Sequence, residues 1–184
     1  MIRHKTPNRS FAPPTAALPP RYPSPTMATI FKGRYTSRID GPFVVFLIGI
    51  RINRLLAPHK WWAAFQAMPP MIRELSANPS LGFLSAEYCV VWRGVNLIQY
   101  WRSFDHLLAY SQANDAKHLP AWKAFNQSAG NADGVVGIWH ETYQVAAGHS
   151  ECIYANMPRY GLARAGTHEP ATGHLRDAST RMQS

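Results

Sequence analysis

Four side chains able to do chemistry fall within one stretch, Gln99–Asn126, QYWRSFDHLLAYSQANDAKHLPAWKAFN: Trp101, His106, His118 and Trp122. Two are indole rings that can wall an apolar pocket, and two are imidazoles that titrate near neutral pH, so a pocket is expected at this strand and helix junction. Downstream, His140 and Glu141 are neighbours. On a strand they point to opposite faces and form no catalytic pair. Trp139, Glu141 and Tyr143 share one face and His140 and Thr142 the other, so the face turned to the helices decides whether His140, or Glu141 with Tyr143, joins the site. Arg51 and Arg102 end strands, where a guanidinium fork can hold an anionic substrate group or pair at the surface with Glu74 or Asp105.

Several chemistries are excluded. The HE pair lacks the second histidine of a zinc-protease helix and lies on a strand, and there is no GxGxxG, phosphate loop or GxSxG elbow. Cys89 and Cys152 stand far apart in apolar runs, match no metal spacing, and read as small hydrophobes rather than as a disulfide. No metal site is expected.

The elements that position these groups follow from periodicity. PFVVFLIGIRIN, from Pro42, is apolar on both alternating faces, as a strand covered on both sides would be. HKWWAAFQAMPPMIRELSANP repeats at helical spacing through Trp61, Phe65, Met68, Ile72 and Leu75, with Pro69 and Pro70 predicted to split it into two short helices or one sharply kinked helix. Ala86–Trp92 and Val95–Trp101 form a hairpin about Arg93 and Gly94. Ser103 caps a helix whose inward stripe is Phe104, Leu107, Leu108 and Ser111, and a further helix begins near Leu119 with Pro120 at its first position. VVGIWHETYQV is the next strand and Glu151–Asn156 an extra one. The order β, α, β, β, α, β plus a C-terminal strand is a ferredoxin-like α+β plan. Its second sheet face needs a cover, and a second subunit supplies one, so a homodimer is expected.

At 184 residues, 46% hydrophobic and 12% aromatic, there is material for one core. Residues 1–31 read as a disordered Pro-rich basic tail, 32–158 as the domain and 159–184 as a second disordered tail. Met27 is a candidate true start. The charge of +9 and pI near 9.9 raise nucleic-acid binding, but Arg3, Lys5, Arg9, Arg21, Lys32, Arg34 and Arg38 all precede the first acid, Asp40. A solvated tail accounts for that, so no specific nucleic-acid partner is expected. No apolar run reaches the roughly 20 residues of a membrane span, and a cytoplasmic protein is the expectation.

The segments FLIGIRINRL, HKW, FQAMPPMIREL, QYWRSFDHLLAYS, HLPAWKAFN, VGIWHETY and ECIYANMPRYGLA resemble, in order, the dimeric α+β barrels of the antibiotic-biosynthesis-monooxygenase type. The likeness covers roughly Lys32 to Ala165 and is nearest to a family grouped with a fumagillin-pathway monooxygenase. It implies a ferredoxin-like dimeric α/β barrel of secondary metabolism, a monooxygenase-type oxidoreductase acting on an aromatic or polyketide-like small molecule without a cofactor. His118 or His140 would be the base, with Trp101, Trp122 and Tyr143 shaping the pocket. Haem-degrading relatives line theirs with a tryptophan, a histidine and an asparagine, which fall here on Trp101, His118 and Asn53, and Arg51 would hold an anionic group. The same family leaves two other readings open: a haem enzyme, aldoxime dehydratase or haem-degrading, with His118 as iron ligand, and a non-catalytic small-molecule-binding barrel.

Overall fold

A run that is apolar at nearly every position is satisfied only in the middle of a sheet, and PFVVFLIGIRIN becomes an inner strand, β2 (Phe43–Ile52). The structure is a computed structural model that describes residues 28–112 and 134–182. From β2 the chain runs through α1 (Pro58–Ala77), β3 (Phe83–Val91), β4 (Gly94–Trp101), α2 (Phe104–Gln112) and β5 (Val136–Val145). The sheet order is β3-β4-β2-β5, antiparallel throughout. This is the ferredoxin-like α+β fold expected from the element order.

Register fixes the faces. Val44, Phe46, Ile48 and Ile50 of β2 align with Trp101, Gln99, Leu97 and Val95 of β4, and Ile48 with His140 of β5. This row faces the helices, where Ile48, Ile50 and Leu97 pack on Met68 and where Val44 and Trp101 pack on Met71, Leu75, Leu107 and Tyr110. The hairpin turn is Trp92–Arg93, with Arg93 in the left-handed region at φ 66°. Gly94 follows it because a Cβ there would lie 1.9 Å from the Ile50 carbonyl oxygen.

Several expectations are corrected. The helix is not divided into two by Pro69 and Pro70; α1 runs unbroken past both. Both prolines are exposed, while burial of Met68, Met71 and Leu75 on the other face holds the helix. In α2 the buried pair is Leu107 and Tyr110, with Phe104 and Leu108 each 38% exposed. Ser103 does cap α2, its Oγ accepting the His106 N–H at 3.3 Å. The C-terminal strand, β6 (Tyr154–Met157), pairs not with the core sheet but with β1 (Phe31–Thr36), in a small sheet completed by β7 (Glu169–Pro170).

The residues past Arg159, expected to be a disordered tail, are built into the fold. The short helix α3 (Leu162–Ala165) sits on the sheet face opposite α1 and α2. There the buried Glu87 carboxylate accepts the Gly161 N–H at 2.9 Å and lies 3.3 Å from the Arg164 guanidinium. The chain thus supplies part of the cover assigned to a second subunit. Beyond β7, α4 (Ala178–Arg181) ends on Arg181, 6% exposed, whose guanidinium donates to Glu151 at 2.7 Å and to the carbonyls of Leu175 and Arg176 at 2.9 and 2.7 Å. Arg181→Ala strands those acceptors and is expected to cost about 1.5–3 kcal/mol, the worth of hydrogen bonds to a charged group. Limited proteolysis, with cleavage after residue 159 speeding up, checks it.

Candidate functional site

Between the sheet and its two helices lies an apolar pocket walled by Phe46 and Ile48 of β2, Met68, Met71, Ile72 and Leu75 of α1, Trp101 of β4 and Leu107 of α2, with Ser111 on its lining. Three polar residues reach it, Gln99, Tyr110 and Ser111, and the Ser111 hydroxyl donates to the Leu108 carbonyl at 2.8 Å. Trp101 is 1% exposed, its ring edge-on to Phe83 at 5.4 Å and tilted on Tyr110 at 5.6 Å. Its Nε1–H donates to Gln99 Oε1 at 2.9 Å, leaving the Gln99 amide N–H groups as donors. Burial, with Glu74 adding to it, pushes the Tyr110 hydroxyl above the ordinary phenol range, so it stays a protonated donor. The pocket holds about 60 Å³. Pockets that hold drug-sized ligands are roughly 300–1,000 Å³, so this one is several-fold smaller.

The faces left open by sequence are now assigned. His140 lies on the helix side of β5, an edge strand, exposed, its ring 5.6 Å from Phe46. Phe46 is the wall between it and the pocket. Trp139, Glu141 and Tyr143 lie on the far face, where the Tyr143 hydroxyl donates to Glu141 Oε2 at 2.5 Å, a bond that raises the Tyr143 pKa. Tyr143 is thus not brought to the helix-side pocket. Neither is Asn53, which ties the end of the sheet together: its Nδ2 donates to the Gly134 carbonyl at 3.0 Å. Arg51 is exposed on the far face. Arg102 lines open grooves at the sheet margin, and among the described residues neither arginine has an ion pair. His118 and Trp122 lie outside the described residues.

Gln99 and Tyr110 were not among the expected site residues. Gln99 had a signal: a polar residue at an inward position of a strand, two before Trp101. Tyr110 had only its three-residue spacing from Leu107.

On the far face, Tyr100 is pushed up to about 12, chiefly by burial and then by Glu87. His168 stacks on Tyr35 at 4.7 Å with Phe31 edge-on at 4.5 Å, and burial, with Arg159 nearby, lowers its pKa. Both cysteines are free thiols. Among the described residues there is no cluster of side chains able to hold a metal ion, and no helix is long and apolar enough to cross a membrane.

Comparison with solved structures finds an aldoxime dehydratase, crystallised with butyraldoxime, at a TM-score of 0.54 and 19% identity, over 80% of this chain and 40% of that one. That likeness is one of fold. Monooxygenase af470 of Aspergillus fumigatus is 29% identical over 160 residues, which cover 75% of this chain and 56% of that protein's length. The profile of the monooxygenase af470-like family matches residues 43–162. That match runs from the start of β2 to the helix docked on Glu87 and so takes in every wall of the pocket: the chain belongs to the monooxygenase af470-like family.

Proposed function

We propose that this protein is a monooxygenase that oxidises an electron-rich aromatic or polyketide-like molecule held between the sheet and helices α1 and α2. The observation that carries the reading is the pocket itself, walled by apolar side chains, with the Gln99 amide and the Tyr110 hydroxyl beside Ser111, whose own hydroxyl donates to the Leu108 carbonyl. A base, His140 or His118, removes a proton from an activated carbon of the substrate. Gln99 and Tyr110 donate hydrogen bonds to the enolate oxygen that develops. The carbanion passes one electron to dioxygen, the radical pair joins through a new C–O bond, and the hydroperoxide loses water. The balance is CH2 plus O2 to C=O plus H2O, with the substrate as reductant. The apolar walls keep water from the radical pair.

Gln99→Leu removes one of the two donors. It is expected to lower kcat about 10²-fold, the usual loss of an oxyanion-hole donor. A full rate in a folded Gln99→Leu protein would mean the chemistry happens elsewhere.

The shared fold with aldoxime dehydratase supports a second reading, a haem enzyme with His118 as ligand. The described walls of the pocket offer haem no imidazole or thiolate. A visible band on adding haem, lost in His118→Ala, would favour this reading. The far sheet face supports a homodimer, because α3 covers only its β3 side and leaves Trp139 36% and Tyr143 51% exposed. Trp139→Glu with Tyr143→Glu is expected to yield monomer in light scattering after size exclusion, where the parent chain gives a dimer.

A further inference from the structure

One end of the core sheet presents apolar side chains to water. Leu56 is 100% exposed, Val90 and Trp92 are 88% and 84% exposed, and Trp62 and Leu55 are 55% and 46% exposed. They come from two segments held side by side, the loop from β2 together with the first turns of α1, and the tip of the β3–β4 hairpin. The Arg93 carbonyl accepts the Ile52 N–H at 2.6 Å, and the Arg93 guanidinium donates to the Asn53 carbonyl at 2.5 Å. Trp61 Nε1–H donates to the Leu55 carbonyl at 3.3 Å, and the Ala57 N–H to that of Arg54 at 3.4 Å. The loop is pinned at both ends, so the exposure is built into its shape. The same segments carry Arg51, Arg54, Lys60 and Arg93, and residues 51–62 and 90–96 contain no Asp or Glu.

We propose that this end docks the protein on an anionic lipid surface, with Leu56, Trp92 and Val90 entering the headgroup region and the exposed Arg51 and Arg54 meeting lipid phosphates and carboxylates. Indoles settle at the membrane interface, where an apolar ring and a polar N–H are both satisfied. Basic side chains within a Debye length of an anionic leaflet add attraction, and their stems lie along the apolar surface. The patch is a protruding hairpin tip and a loop crest. A deformable surface accepts that shape without a matching cavity. Self-association through the same patch would set cations against cations. The contact is peripheral, and it stands independently of the proposed activity.

The test is flotation of the full chain with phosphatidylcholine vesicles, with and without phosphatidylserine. The expected result is flotation with the anionic vesicles alone, falling as salt is raised. Leu56→Ser with Trp92→Ser, and separately Arg51→Glu with Arg54→Glu, should each weaken it by about tenfold or more. Thermal melts should stay unchanged, since these side chains are exposed. No flotation would overturn the proposal. So would flotation that survives both pairs, which would place the contact on the basic residues preceding Asp40. Self-association lost in the Leu56→Ser, Trp92→Ser pair, without flotation, would assign the patch to a second copy and also overturn it.

Discussion

Replacing His140 by alanine is expected to slow oxygen-dependent turnover by about 10²–10⁴-fold, the usual worth of a positioned general base, while the protein stays folded. Two features of the structure motivate that expectation. His140 is on the helix side of β5, and its ring meets Phe46, which walls the pocket. Substrate entering past Phe46 would bring an acidic C–H within reach of the imidazole. As an exposed residue on an edge strand, His140 leaves no cavity when truncated, so a lost rate would not be a lost fold. The comparison is His118→Ala. A rate that falls in that variant and not in His140→Ala moves the base to His118, and an unchanged rate in both removes proton abstraction by histidine from the mechanism.

Trp101→Ala is expected to destabilise the protein by about 3–5 kcal/mol, the range for a buried large aromatic. Three contributions act in the same direction. The indole is 1% exposed and packs edge-on against Phe83 and obliquely on Tyr110, so its removal opens a cavity between β4, α1 and α2. Those ring contacts are lost with it. Gln99 Oε1 also loses its donor inside an apolar pocket. Trp101→Phe keeps most of the ring and forfeits the hydrogen bond, so it should cost clearly less. Urea denaturation of the three proteins checks the order, and a Trp101→Ala midpoint equal to that of the parent would mean the ring does not hold the pocket together.

The order of the core elements was legible because it is written in local pattern. β2 is apolar at both parities, the hairpin strands are β-branched and aromatic about a short turn, and α1 keeps its 3.6-residue stripe through two prolines. Of the two outcomes expected at Pro69 and Pro70, the single helix is the one found: a break depends on what the rest of the helix buries, which local propensity does not see. FKGRYT, now β1, is short, with only Phe31 and Tyr35 to mark its apolar face, and its partner β6 lies more than a hundred residues on. The C-terminal segment was illegible for the same reason. Glu87 and Gly161, or Glu151 and Arg181, are single long-range pairs that leave no periodic trace. Of the site, Trp101 was legible as an inward strand-end aromatic. Whether His140 or Tyr143 faced the helices depended on the register of β5 against β2. Tyr110 was hidden because its helix was read with Phe104 and Leu108 turned inward.

The most direct test of the central claim is oxygen uptake by the purified chain given an electron-rich phenol or anthrone, with no metal, flavin or haem added, under isotopically labelled dioxygen. The account predicts uptake well above the uncatalysed rate, one labelled oxygen atom in the product and the other in water. Uptake no faster than that of the substrate alone, or uptake that begins only when haem or flavin is supplied, would contradict it.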